Sequence, residues 1–119
     1  MVLTEKEKAC LVSLTLEIMN ADYKITDNEM RFYALMQKDF SLTEHDFKNG
    51  KSMDPYDALG ILKGMPDDKK TAIGLVLRKL ISVDGQPHNY AIDALNEITI
   101  KADLARAIKR ELERFKNNQ

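Results

Sequence analysis

The sequence predicts an all-α domain of about seven helices, and three observations lead to that prediction. Of the 119 residues, 44% are hydrophobic and 31% are charged, which is enough to form a core and to cover it. Five Gly and three Pro are few for a fold made of many turns. Apolar residues recur at three- and four-residue spacing, the period of an amphipathic helix. The length fits one domain, residues 1–119.

Helix starts are marked by capping sequences in the first half of the chain. A Thr followed three residues later by Glu or Asp predicts a capped N-terminus at three places, Thr4–Glu7, Thr26–Glu29 and Thr43–Asp46. The first helix should end near Asn20, and the third should be closed by Gly50 in a left-handed conformation. Asp54 before Pro55 predicts a fourth helix, because Pro at the first helical position needs no N–H donor.

The second half begins with the most apolar helix of the chain, residues 66–83. Its side chains leave few polar gaps, so we expect a central helix that is covered on several sides. A sixth helix is predicted from about Asn89 to Ile100. A seventh contains four apolar residues on one face: Leu104, Ile108, Leu112 and Phe115.

The two halves of the chain resemble each other. A shift of 62 positions superimposes apolar sites and one turn aspartate: Leu11 on Ile73, Ile18 on Leu80, Met36 on Ile98, and Asp22 on Asp84. Each half is then a helix, a short turn with Asp, and a second helix. The sequence therefore predicts two pseudo-symmetric helical hairpins, residues 4–42 and 66–104, arranged around the central apolar helix.

The turns also carry a family resemblance. Residues 21–29, Ala-Asp-Tyr-Lys-Ile-Thr-Asp-Asn-Glu, resemble the Ala-Asp-Gly-x-Ile-x-x-x-Glu segment of TerB-like domains, the tellurite-resistance family. Residues 83–87 resemble its second copy, and residues 65–70 resemble the segment that opens that family's central helix. The resemblance implies a seven-helix fold with internal pseudo-symmetry and a link to stress responses. It also implies acidic turns that hold metal, and it brings no catalytic mechanism.

The candidate metal ligands are carboxylates of the two turns: Asp22, Asp27, Glu29 and Asp84. Carboxylate oxygens suit a divalent cation if the pseudo-symmetry brings Asp22 and Asp84 together. The spacing is not that of an EF-hand, and the second copy has Ala91 where the family has Glu. The alternative is that these carboxylates cap the helices that follow and favour their positive N-terminal ends.

No motif predicts an enzyme. The single cysteine, Cys10, excludes an internal disulfide and a multi-thiolate zinc site, and we expect it to be buried. His45 and His88 lie beside predicted helix starts, outside any metal-binding motif, and we expect both at the surface. No serine lies in a nucleophile elbow, and the glycines lack the spacing of a phosphate loop.

Charge and hydropathy restrict the partner and the location. The net charge of −1 predicts no affinity for nucleic acid or for an anionic membrane, and no apolar run is long enough to span a bilayer. Residues 17–57 carry nine acids and five bases, whereas residues 101–119 carry six bases and three acids. We therefore expect a cytoplasmic binding module whose partner is a protein, a second copy of the chain included. Divalent-metal binding is the alternative function.

Overall fold

The architecture of the chain is all-α, as predicted. The computed structural model describes residues 1–21 and 24–118, and within these residues it contains no strand and seven helices. They are α1 (Glu5–Met19), α2 (Asp27–Asp39), α3 (Glu44–Ser52), α4 (Pro55–Lys63), α5 (Asp67–Leu80), α6 (Asn89–Lys101) and α7 (Leu104–Asn117). No helix among the described residues is long and apolar enough to cross a membrane.

The predicted capping sequences define the starts of the first four helices. Thr4 Oγ1 accepts the Glu7 N–H at 3.2 Å, and Glu7 Oε1 accepts the Thr4 N–H at 2.8 Å. The same reciprocal pair opens α2 and α3. At α4, Asp54 Oδ1 accepts the Tyr56 N–H at 2.8 Å. Each cap satisfies a donor that the helix itself leaves unpaired.

The core is built around α1, which packs against α3, α4, α5 and α6. Most of its length is buried, including Cys10, Leu11 and Leu14. The predicted central helix, α5, contacts α1, α2, α6 and α7. One side of α5 nevertheless faces solvent, where Leu75 is 46% exposed. The most completely covered helix is therefore α1, because α3 and α4 both lie on it.

Gly50 does not end α3 in a left-handed conformation, and that prediction is wrong. It lies inside α3, three residues before the Met53 cap, and it is buried against α1. A Cβ built at this position would lie 2.4 Å from Val12 Cβ and 2.8 Å from the Ala9 carbonyl oxygen. Gly50 is required because the backbones of α1 and α3 approach closely there.

The helix boundaries recur at the offset of 62 positions found in the sequence. Helices α1 and α5 begin at equivalent positions, and α6 matches α2 at both ends. Ser41 and Asp103, which are also equivalent, both have a positive φ, of 55° and 57°. Helix α4 follows the first repeat and has no counterpart after α7 in the described chain. This difference leaves the two halves unequally covered.

An ion pair joins two equivalent positions of the halves. Lys69 Nζ lies 2.7 Å from Glu7 Oε1, and the two residues are separated by the full repeat offset. Glu7 lies in the first turn of α1 and Lys69 in the first turn of α5, so the pair links the beginnings of these two contacting helices. Burial raises the pKa of Glu7, but hydrogen bonds from Lys69 and from the Thr4 N–H outweigh it and hold the pKa below 4.5.

Replacing Gly50 by Ala should destabilise the fold by about 3 kcal/mol, because the new methyl group overlaps Val12 and a carbonyl oxygen that cannot move away. Gly60 is the matched control. It also lies inside a helix, but no described atom lies within 4 Å of a Cβ built there. Gly60→Ala should stabilise by about 0.5–1 kcal/mol. Urea unfolding measures both, and equal effects would contradict the close approach.

The Glu7–Lys69 pair predicts a loss of stability in acid. Because the folded-state pKa of Glu7 is lowered, its contribution is present above about pH 4.5 and is lost as the pH falls through the lowered pKa. Glu7→Gln should flatten this part of the curve of unfolding free energy against pH, since Gln keeps the capping contact. Glu113→Gln is the control, and an identical flattening there would refute the assignment.

Candidate functional site

The second acidic turn contacts the beginning of α2. Asp84 Oδ2 accepts a hydrogen bond from Thr26 Oγ1 at 2.8 Å, and Asp84 Oδ1 accepts one from Asn28 Nδ2 at 3.0 Å. Gly85, with a φ of 100°, reverses the chain directly after Asp84. The turn that follows α5 is thus joined to the helix that follows the first turn.

Three of the four predicted metal ligands lie at this end of α2. Asp27 is its first residue and is exposed, whereas Glu29 is buried and its Oε1 accepts the Thr26 N–H at 3.0 Å. Asp22, the fourth, lies outside the described residues. Within residues 1–21 and 24–118, no three His, Cys, Asp or Glu side chains form a group able to hold a metal ion. Glu29 completes the capping box of α2, and Asp84 holds the cap residue Thr26 through its side chain, so both place negative charge at the positive end of the helix.

The cysteine and histidines are held by structural contacts. Cys10 is fully buried, its Sγ donates a hydrogen bond to the Ala58 carbonyl oxygen at 3.2 Å, and burial raises its pKa to about 12. A thiol with that pKa is a poor nucleophile at neutral pH. His45 is exposed beside Glu5, and the His88 ring stacks on Tyr90.

Helix α4 lies across α1 and α6. Ala58 and Leu62 form its buried side, and Ala58 accepts the Cys10 hydrogen bond. At its start, residues from all three helices line a cleft of about 220 Å³: Leu14, Glu17, Pro55, Tyr56, Leu59, Ala94, Glu97 and Ile98. Lys101 of α6 lies over the Tyr56 ring, 5.2 Å from its centroid. We call this surface of α1 and α6 the α4-binding surface.

The residues equivalent to this surface at the repeat offset lie on α5 and α2. These two helices contact each other, as α1 and α6 do. We call the equivalent residues the α2–α5 face: Ala72, Leu75, Val76 and Lys79 of α5, with Phe32, Leu35 and Asp39 of α2. Among the seven helices of the described chain, none packs on both α5 and α2 as α4 packs on both α1 and α6. Ala72 and Val76 are accordingly half-buried, whereas their counterparts Cys10 and Leu14 are fully buried.

Equivalent positions of the two surfaces carry side chains of different polarity. Ser13 is 5% exposed and its Oγ donates a hydrogen bond to the Met53 carbonyl oxygen at the end of α3, whereas its counterpart Leu75 is 46% exposed. The Glu97 side chain, at the edge of the α4-binding surface, is 57% exposed, and its counterpart Leu35 is 63% exposed. Within the described chain, the larger apolar side chains thus lie in the half without a helix equivalent to α4. The sequence analysis missed this face, because locating it requires knowing that α4 packs on α1 and α6.

Removing the Asp84 carboxylate should loosen the start of α2. We expect Asp84→Ala to lower the free energy of unfolding by about 1 kcal/mol in EDTA, because the side chains of Thr26 and Asn28 each lose a hydrogen bond. The control is Asp93, which is also exposed and whose replacement by Ala should have little effect. Thermal melting with millimolar Ca²⁺, Mg²⁺, Mn²⁺ or Zn²⁺ separates capping from metal binding. A rise in Tm that disappears in Asp84→Ala would establish a cation site.

Comparison with known proteins gives a fold and no activity. No family model matches the chain, and no curated protein matches it. Among solved structures, the chain is similar to a protein of unknown function from Porphyromonas gingivalis W83. The sequences are 17% identical, the match covers 87% of this chain and 88% of that chain, and the TM-score is 0.75. At this identity the likeness shows a shared all-α fold alone.

Proposed function

We propose that the chain is a non-catalytic protein-association module and that the α2–α5 face is its docking surface. The observation that supports this proposal is the exposure of Leu75 and Leu35, in a half of the molecule where the described chain has no covering helix. Single exposed leucines are common on protein surfaces. These two lie on helices that contact each other, and the residues at the equivalent positions of the other surface, Ser13 and Glu97, are polar.

Contact with water alone would favour polar side chains at the positions of Leu35 and Leu75. A position that stays in water favours a polar residue, and a position under a helix favours an apolar one. Phe32 of α2 and Val76 of α5 are half-buried and add apolar surface to the α2–α5 face. Apolar surface of this kind is typical of a protein-binding site.

We further propose that the module is TerB-like and acts in the cytoplasm. The repeat of the helix boundaries and the acidic residues of the two turns support the relationship, and the buried, reduced Cys10 suits a reducing compartment. A role in the stress response or in tellurite resistance is part of the same hypothesis. Deleting the gene and measuring growth on tellurite tests that part.

Divalent-cation binding at the turns is the second candidate function. One observation favours it, because Asp84 and Glu29 both direct a carboxylate oxygen at Thr26, at 2.8 and 3.0 Å. Both oxygens already accept hydrogen bonds, so a cation would have to compete with the cap. The melting experiment with Asp84→Ala tests this candidate separately from protein association.

The double variant Leu35→Lys/Leu75→Lys should lose its protein partner, because two charges would have to be buried against the partner's apolar surface. The measurement is affinity capture after cross-linking in an extract of the source organism, quantified by mass spectrometry. Sedimentation of the pure protein shows whether that partner is a second copy. We expect recovery of at least one specific protein to fall more than tenfold.

The matched control is Leu112→Lys/Phe115→Lys on α7, where the two side chains are 59% and 64% exposed. It adds the same charge to an apolar surface outside the α2–α5 face, and capture should stay at the wild-type level. Both variants should keep their helical circular dichroism, since none of the four side chains is buried. Equal recovery with both double variants would refute the docking surface.

A further inference from the structure

We propose that a cleft between α5, α6 and α7 binds a small aromatic carboxylate. The cleft has a volume of about 380 Å³, which lies within the range of small-molecule sites. Three apolar side chains line it, together with a glycine and two polar residues: Leu95, Leu104, Ile108, Gly74, Arg78 and Asn96. None of these residues belongs to the α2–α5 face, so this inference goes beyond the proposed function and does not depend on it.

An aromatic ring fills the equivalent position in the first half of the chain. At the repeat offset, Leu95 corresponds to Tyr33. Gly74 corresponds to Val12, so a second smaller residue stands in the second half. The Tyr33 ring packs edge-on against Phe47, with 5.8 Å between the ring centroids, and its hydroxyl oxygen is buried. The second half therefore has a cleft where the first half packs an aromatic side chain.

The charge at this position also differs between the halves. Arg78 stands in place of the apolar Leu16, and Ile108 stands in place of the acidic Asp46. Arg78 is exposed and forms no ion pair with a described residue, and none of the described residues that line the cleft is acidic. A guanidinium binds a carboxylate through two parallel hydrogen bonds. The Asn96 amide, which lines the same cleft, can donate a further one.

The two differences together define the class of ligand. A ring placed among Leu95, Leu104 and Ile108 would bury apolar surface, as the Tyr33 ring does in the other half. Its carboxylate would then pair with Arg78 at the exposed edge of the cleft. A ring suits the site better than a flexible chain, because it loses little conformational freedom on binding.

An NMR titration of the full chain with naphthoate tests the inference. The amide signals of residues that line the cleft should shift saturably, with a Kd of about 1 mM or lower. Naphthamide keeps the rings without the charge, and octanoate keeps the charge without a ring. Each should bind about tenfold more weakly than naphthoate. The absence of saturable shifts, or shifts confined to other parts of the molecule, would overturn the proposal.

Two variants place first-half residues in the cleft. Arg78→Leu, which copies Leu16, should weaken naphthoate binding about tenfold and leave the binding of naphthamide unchanged, because only the ion pair is lost. Leu95→Tyr, which copies Tyr33, should fill the cleft with a ring and abolish the binding of both compounds. Arg31→Leu on α2 is the matched control, since it removes the same charge outside the cleft and should leave both affinities unchanged.

The outcomes decide between a specific site and general attraction. Equal weakening by Arg78→Leu and Arg31→Leu would refute the site, because net charge alone would then explain the binding. Equal affinity for naphthoate and naphthamide would refute the carboxylate, and equal affinity for octanoate would refute the ring. Circular dichroism checks that the variants fold, and Arg78→Leu keeps the test decisive if Leu95→Tyr does not, since Arg78 is exposed. Protein capture through the α2–α5 face is measured on other residues and can fail independently.

Discussion

The packing of α3 and α4 on α1 is the constraint on which the rest of the molecule depends. Gly50 allows α3 to approach α1 more closely than a methyl group would permit, and Cys10 donates a hydrogen bond to the backbone of α4. With both sides of α1 covered, its apolar residues form the main part of the core. In the second half, α5 and α6 correspond to α1 and α2. Among the described helices, however, only α7 packs on α5 at the sides that correspond to those covered by α3 and α4 on α1. The asymmetry of the surface follows from this difference.

The turn that contains Asp84 links the two halves of the molecule, whether or not it binds a cation. Asp84 joins the end of α5 to the start of α2, across the two halves, through Thr26 and Asn28. The Glu7–Lys69 pair joins the halves again at the beginnings of α1 and α5. Both contacts are polar and link residues that are far apart in the sequence. They therefore hold the two hairpins in one relative position, and the relative position of α2 and α5 creates the α2–α5 face.

Local signals made most of the fold predictable, and long-range contacts explain what was missed. A capping box involves residues three positions apart, so the starts of α1, α2 and α3 could be read from the sequence. The role of Gly50 depends on Val12, which belongs to another helix, and a glycine late in a helix also fits a C-terminal cap. The carboxylates were identified as a group, but the pairing of Asp84 with Thr26 depends on how the hairpins pack. The α2–α5 face is invisible without knowing that α4 lies on α1.

The exposed leucines supply only part of the free energy needed to bind a partner. Burying a whole leucine contributes about 1.5–3 kcal/mol, and Leu35 and Leu75 have 63% and 46% of their surface left to bury. Together they would supply about 2–3 kcal/mol, less than the loss of translational and rotational freedom, which costs at least about 4 kcal/mol. Phe32, Val76 and the apolar surface that the partner itself buries must contribute the remainder. A face of this composition suits transient binding, for which cross-linking before capture is the appropriate method.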